Sequence, residues 1–299
     1  MRIEQTAMAV PSRVVTNTAL SQTLDTSDEW IKQRTGIHER RVATTETTYS
    51  LALAVARQLL DQAHRSAETL DFIIVATMSP DFLTPSEANR IQAALGATNA
   101  YALSVNVACA GFVYALDLAA HLLAGVARSG LVIGSEVLSK LVDWQDRSTA
   151  VLFGDGAGGV FVTADEQPLP LADLRSFGDS DLVLSAGAAQ GRPFFQMNGR
   201  AVFQFATREA TASIGRLPRA DWVLVHQANA RIIDVIGRKL GLAPEQLPMN
   251  MAAYGNTSAA SIPILLHELV AARRIERGQT MILCGFGGGL SVGSLYLTY

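Results

Sequence analysis

The sequence predicts an α/β protein built from two similar halves, and three observations carry that expectation. Two short, continuously apolar runs, Asp71–Val75 and Asp221–Val225, have the composition of strands covered on both faces. They lie 150 residues apart, and at that offset Leu131–Gly134 also falls on Met281–Cys284. The same shift carries the apolar helix predicted after Cys109 onto Ile262–Val270. The predicted halves are residues 1–165 and 176–299, with 166–175 as a connector interrupted by Pro168 and Pro170.

The elements follow in order. An opening strand spans Met1–Val10, and Asp25 or Ser27 is placed to cap a short helix through Trp30 that stops near Thr35 and Gly36. A second helix is predicted over Ser50–Ala63, where Leu51, Val55 and Leu59 share a face, and a third over Ser86–Leu95. Tyr101–Val107 reads as a strand leading to Cys109, and Val113–Leu123 is too long and too rich in Ala and Leu for anything but a helix. Cys109 therefore stands near a helix N-terminus, whose free N–H groups and positive dipole end lower a thiol pKa. Phe153–Gly159 reads as a glycine-rich turn before Val160–Val162, and the absence of a Gly-Lys-Ser/Thr ending separates it from a phosphate loop. In the second half Trp222–Val225 runs directly into His226, a carboxyl strand end where α/β active sites gather. Asn256 occupies the turn before the helix equivalent to the one after Cys109. Cys109, His226 and Asn256 are thus candidates for one cleft between the halves.

Composition narrows the functional class. With 17% charged residues and a net charge of −3, the chain offers no global field for nucleic acid or an anionic membrane. Its two cysteines, Cys109 and Cys284, make neither a disulfide framework nor a metal-ligand cluster, which fits a reducing, cytoplasmic setting. Residues 1–10 carry Glu4 and lack the apolar core of a signal peptide, and Asp117 and His121 interrupt the one long apolar run. Each candidate also has a plain structural role: a buried small hydrophobe for either cysteine, a satisfied core imidazole for the histidine, a turn former for the asparagine.

The strings Asn106–Leu116, His226–Ile232, Gly255–Pro263 and Phe286–Gly289 together resemble the signatures of the β-ketoacyl-acyl carrier protein synthase III family, as do Trp30, Arg34–Ile37 and Phe153–Gly158. The resemblance covers essentially the whole chain. It implies a thiolase-like fold of two pseudo-symmetric α/β halves in five α-β-α-β-α layers, a homodimer, and no tightly bound cofactor or metal. It further implies an acyltransferase that joins a short acyl-CoA to malonyl-acyl carrier protein with loss of carbon dioxide, initiating fatty acid synthesis. In that scheme Cys109 is the acyl-accepting nucleophile, and His226 and Asn256 stabilise the enolate; thiolate formation is open between His226 and the helix terminus. The backbone N–H groups of Cys109 and Gly288 form the oxyanion hole. CoA and pantetheine contacts fall on Trp30, Arg34, Thr35, Arg147, Gly199, Phe203, Ala228, Asn229, Arg231 and Phe286. The acyl pocket falls on Phe82, Leu83 and Thr84 reaching across the dimer, and carrier-protein docking on Arg231, Arg238 and Lys239.

The chain departs from the family pattern at Ser104, where aspartate is common, at Gln204, where lysine is frequent, and at Thr84, smaller than the phenylalanine some relatives carry. The Ala206–Asp221 stretch is shorter than usual, and Pro218 restricts a helix there. Two other readings share these residues. A paralogue would use the same triad to prime a secondary-metabolite pathway or acylate another nucleophile, and a non-catalytic partner subunit would keep only the fold.

Overall fold

The computed structural model describes residues 1–187 and 193–299. The first half comprises β1 (Arg2–Ala9), β2 (Val14–Thr16), α1 (Asn17–Leu20), α2 (Asp28–Thr35), β3 (Glu39–Arg41), α3 (Thr48–Ala63), β4 (Phe72–Ala76), α4 (Glu87–Leu95), β5 (Tyr101–Val105), α5 (Gly111–Ala124), β6 (Ser129–Glu136), α6 (Arg147–Ala150) and β7 (Gly156–Thr163). The second comprises β8 (Leu171–Ser176), β9 (Leu184–Ser185), β10 (Gln196–Met197), α7 (Gly199–Gly215), β11 (Trp222–Val225), α8 (Ala230–Leu240), α9 (Met251–Tyr254), α10 (Ser261–Ala271), β12 (Thr280–Gly287) and β13 (Ser291–Thr298). Residues 171–175, read from the sequence as connector, are the opening strand of the second sheet, so the link between the sheets is shorter than expected.

Local chemistry sets the element ends. Ser27 caps α2 by accepting from Trp30 N at 3.1 Å, Asp28 and Glu29 complement the dipole, and Gly36 closes the helix at φ +79°. A Thr47–Ser50 capping box opens α3.

The first sheet has the order β1-β7-β6-β4-β5 and the second β11-β12-β13-β8. In both, a central strand pairs in parallel on one side, β6 with β4 and β12 with β11, and antiparallel on the other, and the rest of the order repeats. The position of β5 has no strand counterpart: 150 residues on stands the short α9. Helices α5 and α10 lie between the sheets, where Phe112, Leu116, Ile262 and Leu266 share one core with Phe72, Val132, Leu283 and Leu295. The α3 side chains Val55 and Leu59 cover the outer face of the first sheet, while α7 and α8 bring Phe205, Ile214, Ile233 and Ile236 onto the second. The result is five layers, helix-sheet-helix-sheet-helix.

Register corrects the repeat by one residue. Val75 pairs with Ile133, and its counterpart Val225 pairs with Cys284, so Ile133 corresponds to Cys284 and Gly134 to Gly285, an offset of 151. One extra residue before β12 accounts for it, and the distinction matters because a single-residue slip turns every side chain to the opposite face. Cys284 accordingly packs outward with Phe205 and Ile236 and is a free thiol. The two glycines face inward on reciprocal partners. A Cβ on Gly134 would overlap the Ala259 carbonyl, and one on Gly285 would lie 2.8 Å from Ala110 Cα and 3.1 Å from Cys109 O.

The Phe153–Gly159 segment is also corrected. Gly156–Gly159 belong to β7 itself, and their lack of side chains lets α10 sit close, since a Cβ on Gly158 would approach Ile264 N to 2.7 Å. Helix α7 runs through Ala206 to Gly215, and Pro218 falls after its end.

Candidate active site

Two equivalent turns meet at the junction of the halves. In each, an asparagine side chain accepts from the backbone two residues on: Asn106 Oδ1 from Ala108 N at 3.1 Å, Asn256 Oδ1 from Ser258 N at 2.9 Å. Ala108 and Ser258 both take positive φ, +44° and +48°, and each begins a single 3₁₀ turn that feeds α5 or α10. The asparagine bond stabilises that uncommon backbone state. The turn of the first half projects Cys109, and that of the second holds Asn256 by pairing it with Phe153, Asn256 N donating to Leu152 O and Gly154 N to Asn256 O.

Cys109, His226 and Asn256 line one cavity of about 140 Å³. Gly199, Phe203, Ala228, Asn229 and Phe286 share the lining with them. The remaining wall is largely apolar and carries residues that the sequence reading did not select: Met78, Leu184, Phe195 and Met197. A larger groove of about 770 Å³ between β2 and the 137–144 loop contains none of the three.

The polar groups are oriented. Because Asn256 Oδ1 is engaged by Ser258 N, its carboxamide N–H₂ is the group left for the cavity. His226 Nδ1 lies 2.7 Å from Ser261 Oγ, which also accepts from Gln227 N at 3.4 Å. With the Ser261 hydroxyl donating to Nδ1, the imidazole proton sits on Nε2 and His226 is a donor toward the cavity. Phe286 packs edge-on against the ring at 5.3 Å, and burial lowers the His226 pKa to about 3, so the ring is neutral.

Cys109 does not have the lowered pKa expected of a helix start. Helix α5 begins only at Gly111, and burial pushes the thiol up to about 12, opposed by Ser258 and by its own backbone N–H and reinforced by the charge of Glu136. Gly287 is pressed against the nucleophile, a Cβ there falling 3.0 Å from Cys109 N and 3.4 Å from Sγ; Gly288 follows, 3.7 Å by the same measure from Ala108 Cβ.

Outside the cavity, the guanidinium groups of Arg34 and Arg147 lie 5.5 and 5.2 Å from the Trp30 ring centroid, and Arg147 is tied to Asp25. Asn229 caps α8 through Arg231 N at 2.9 Å and donates to Arg34 O at 3.0 Å, joining this ridge to the cavity. Thr35 is buried, its hydroxyl engaged by Ile31 O and Ile37 N, so it supports α2 and does not reach the cavity. Arg231 stands near Phe203, and Arg238 and Lys239 are exposed on α8, with Lys239 donating to Thr207 O. Phe82 and Leu83 are 56% and 98% exposed; with Thr84 they lie on the surface and do not line the cavity of their own chain. Ser104 accepts from Ala88 N, and Gln204 is exposed.

With this geometry in place, similarity to known proteins decides the family. Residues 103–178 match the family described as 3-oxoacyl-[acyl-carrier-protein] synthase III, and residues 217–299 match its C-terminal part. A beta-ketoacyl-[acyl-carrier-protein] synthase III of Streptococcus suis is 51% identical, covering 99% of this chain and 98% of its own. The chain belongs to the β-ketoacyl-acyl carrier protein synthase III family. A second relative, the synthase III 2 of Lactiplantibacillus plantarum, is also 51% identical, over 98% of this chain and 97% of its own. These alignments extend over 318 and 319 residues, more than the 299 present here, so the relatives carry segments that this chain lacks. Among solved structures, the 3-oxoacyl-[acyl-carrier-protein] synthase III of Aquifex aeolicus superposes with a TM-score of 0.95 at 41% identity, covering 99% of both chains. The priming β-ketosynthase of the R1128 polyketide pathway does so at 0.89 and 33%, covering 99% of this chain and 95% of that one. The fold is thereby thiolase-like, as family members share it.

Proposed function

We propose that Cys109, His226 and Asn256 carry out the decarboxylating condensation of a short acyl-CoA with malonyl-acyl carrier protein, giving a 3-oxoacyl-acyl carrier protein and initiating fatty acid synthesis. One observation carries the assignment of roles: a buried thiol and two oriented N–H donors share a small apolar cavity. In the first stage Cys109 Sγ attacks the thioester and CoA leaves. The N–H groups of Cys109 and Gly288 receive the tetrahedral oxyanion. In the second stage malonyl loses carbon dioxide, and the enolate oxygen is held by His226 Nε2–H and Asn256 Nδ2–H. The carbanion then attacks the acyl group, expelling the Cys109 thiolate. His226 acts as a donor here, because a ring held neutral with its proton on Nε2 has no lone pair facing the cavity.

Trp30 offers its ring to adenine between Arg34 and Arg147, which serve the phosphates, while Phe203, Ala228, Asn229 and Phe286 line the pantetheine passage ending at Cys109. Arg231, Arg238 and Lys239 meet the acidic carrier protein. In a cytoplasmic homodimer, Phe82, Leu83 and Thr84 of each protomer reach the acyl cavity of the other; their exposure in the single chain is what such a role requires. No tightly bound cofactor takes part. An acyl-CoA panel with malonyl-carrier protein and product analysis tests the function: carbon dioxide release with a ketoacyl product supports it, and acylation without condensation on any donor overturns it. Absence of both carbon dioxide release and ketoacyl product across short acyl-CoAs would favour the paralogous role, priming a secondary-metabolite pathway or acylating another nucleophile.

A further inference from the structure

Glu136 ends β6, fully buried directly behind the nucleophile, and no step above uses it. Its two oxygens are unequally occupied. Oε2 accepts from Thr77 Oγ1 at 3.1 Å, Ser79 N at 3.1 Å, Ser79 Oγ at 2.5 Å and Met78 N at 3.2 Å, whereas Oε1 receives only the shared Met78 N–H. Among the described residues no cation pairs with it, which is costly for a buried carboxylate. A second buried polar group of the same region is the Ser258 hydroxyl. Ser258 is 1% exposed and its hydroxyl has no hydrogen-bond partner among the described residues, and the 3₁₀ turn that Ser258 begins packs against both the Cys109 turn and β6, the strand that Glu136 ends. The residue that presents it is held at φ +48° by Asn256, so the position is fixed by the second half of the molecule and the carboxylate by the first.

We propose that Ser258 and Glu136 form a proton relay for Cys109, and that the thiol proton is parked on Glu136 while the cysteine is acylated. As Sγ attacks the acyl-CoA, the S–H proton passes to Ser258 Oγ, whose own hydroxyl proton moves to Glu136. The sulfur lone pair forms the S–C bond, and CoA leaves as a thiolate protonated by solvent. After condensation expels the Cys109 thiolate, the proton returns along the same path and regenerates the thiol and the carboxylate. In this relay Ser258 acts on the reacting sulfur directly, and Glu136 is a positioning residue acting through it. Burial raises the Glu136 carboxyl to about 7, against the pull of Ser79, Met78, Ser258 and Thr77, which poises it to take and return a proton near neutrality. A neutral Glu136 in the acyl-enzyme also places no negative charge behind the enolate. The groups facing Glu136 are Thr77, Met78 and Ser79 from the loop after β4, Ser258 from the turn before α10, and Cys109 beyond it. Farther along that loop Asp81 pairs with Lys140, which lies after β6. His226, which donates, competes for no proton here.

The proposal extends the condensation reading and is tested separately from it. Cys109 alkylation by iodoacetamide and acylation by acetyl-CoA are measured from pH 5 to 9 by mass spectrometry in the wild type, Ser258→Ala, Glu136→Gln and the double variant. The wild-type rates rise through an inflection near neutrality. Both single variants lose it and slow by about tenfold to a hundredfold at pH 8. The double variant is no slower than Glu136→Gln, because the residues act in series. A Ser258→Ala protein that folds and keeps the wild-type rate and inflection overturns the relay, and it decides the matter even where Glu136→Gln does not fold. A wild type alkylated with that inflection but acylated by no acyl-CoA leaves the relay standing and removes the condensation reading instead.

Discussion

Asn256→Ala separates the two stages of the reaction. The substitution deletes one of the two donors assigned to the enolate and leaves the thiol, its 3₁₀ turn and Gly287–Gly288 untouched. Loss of one preorganised donor costs on the order of a hundredfold to a thousandfold, about 2.7–4 kcal/mol in the barrier, and only in the stage where an enolate exists. A second effect falls on stability, because Ser258 N–H loses its 2.9 Å partner inside the protein. An orphaned buried N–H costs about 1–3 kcal/mol, which a denaturant titration registers as a lowered midpoint. The assay follows labelled acetyl-CoA onto Cys109 in the absence of malonyl-carrier protein, then carbon dioxide release when it is added. Acylation is expected to fall by no more than the Ser258→Ala variant loses, because Asn256 also fixes Ser258, while condensation falls by the stated factor beyond that. Equal losses in the two half-reactions refute the division of roles, and an unchanged condensation rate refutes the donor assignment altogether.

Other expectations follow from the same geometry. His226, with its pKa lowered to about 3 by burial, contributes stability that is present above its unfolded value of 6.5 and lost as pH falls toward 3; imidazole NMR showing protonation near pH 6 contradicts this. Glu136, raised from 4.5 to about 7, contributes stability present below pH 4.5 and lost as pH rises through 7. Relative to Glu136→Gln, the wild type should therefore lose on the order of 3 kcal/mol across that window; a pH-independent gap in unfolding free energy argues against it. Gly285→Ala drives a Cβ into the backbone of Ala110 and Cys109, costing about 1–3 kcal/mol and slowing acylation, while Gly178→Ala, with open space around it, leaves melting and rate unchanged. Arg147→Ala removes one cation from the Trp30 ring and raises KM for acyl-CoA about twofold to fivefold, leaving KM for malonyl-carrier protein, which has no adenine, where it was.

What the sequence displayed and what it concealed divide along physical lines. Caps and apolar periods act locally, so Ser27, Gly36 and the α3 face are legible, and the repeat survives as a nearly constant offset. The one-residue shift at β12 is invisible because Met281–Cys284 and Ile282–Gly285 are equally apolar, and only strand register distinguishes them. The glycines of β7 resemble a turn until α10 is packed against them, a contact between residues about a hundred apart. Cys109, His226 and Asn256 stand out because their chemistry is rare in apolar surroundings. Met78, Leu184 and Phe195 do not, because an apolar cavity wall has the composition of any core. The pKa of Cys109 ran opposite to the local expectation, since the dipole of a helix start acts over one turn while burial by both halves acts on the whole side chain. Glu136 escaped notice as a single acidic residue at a strand end, its burial evident only once the halves are joined.

The measurement that tests the central claim most directly is the intact mass of the protein, followed by peptide mapping, after mixing with acetyl-CoA alone. An acetyl adduct confined to the peptide bearing Cys109, cleared on addition of malonyl-carrier protein with release of carbon dioxide, is the predicted result. An unmodified Cys109 across a panel of short acyl-CoAs, or an adduct that malonyl-carrier protein does not discharge, contradicts it.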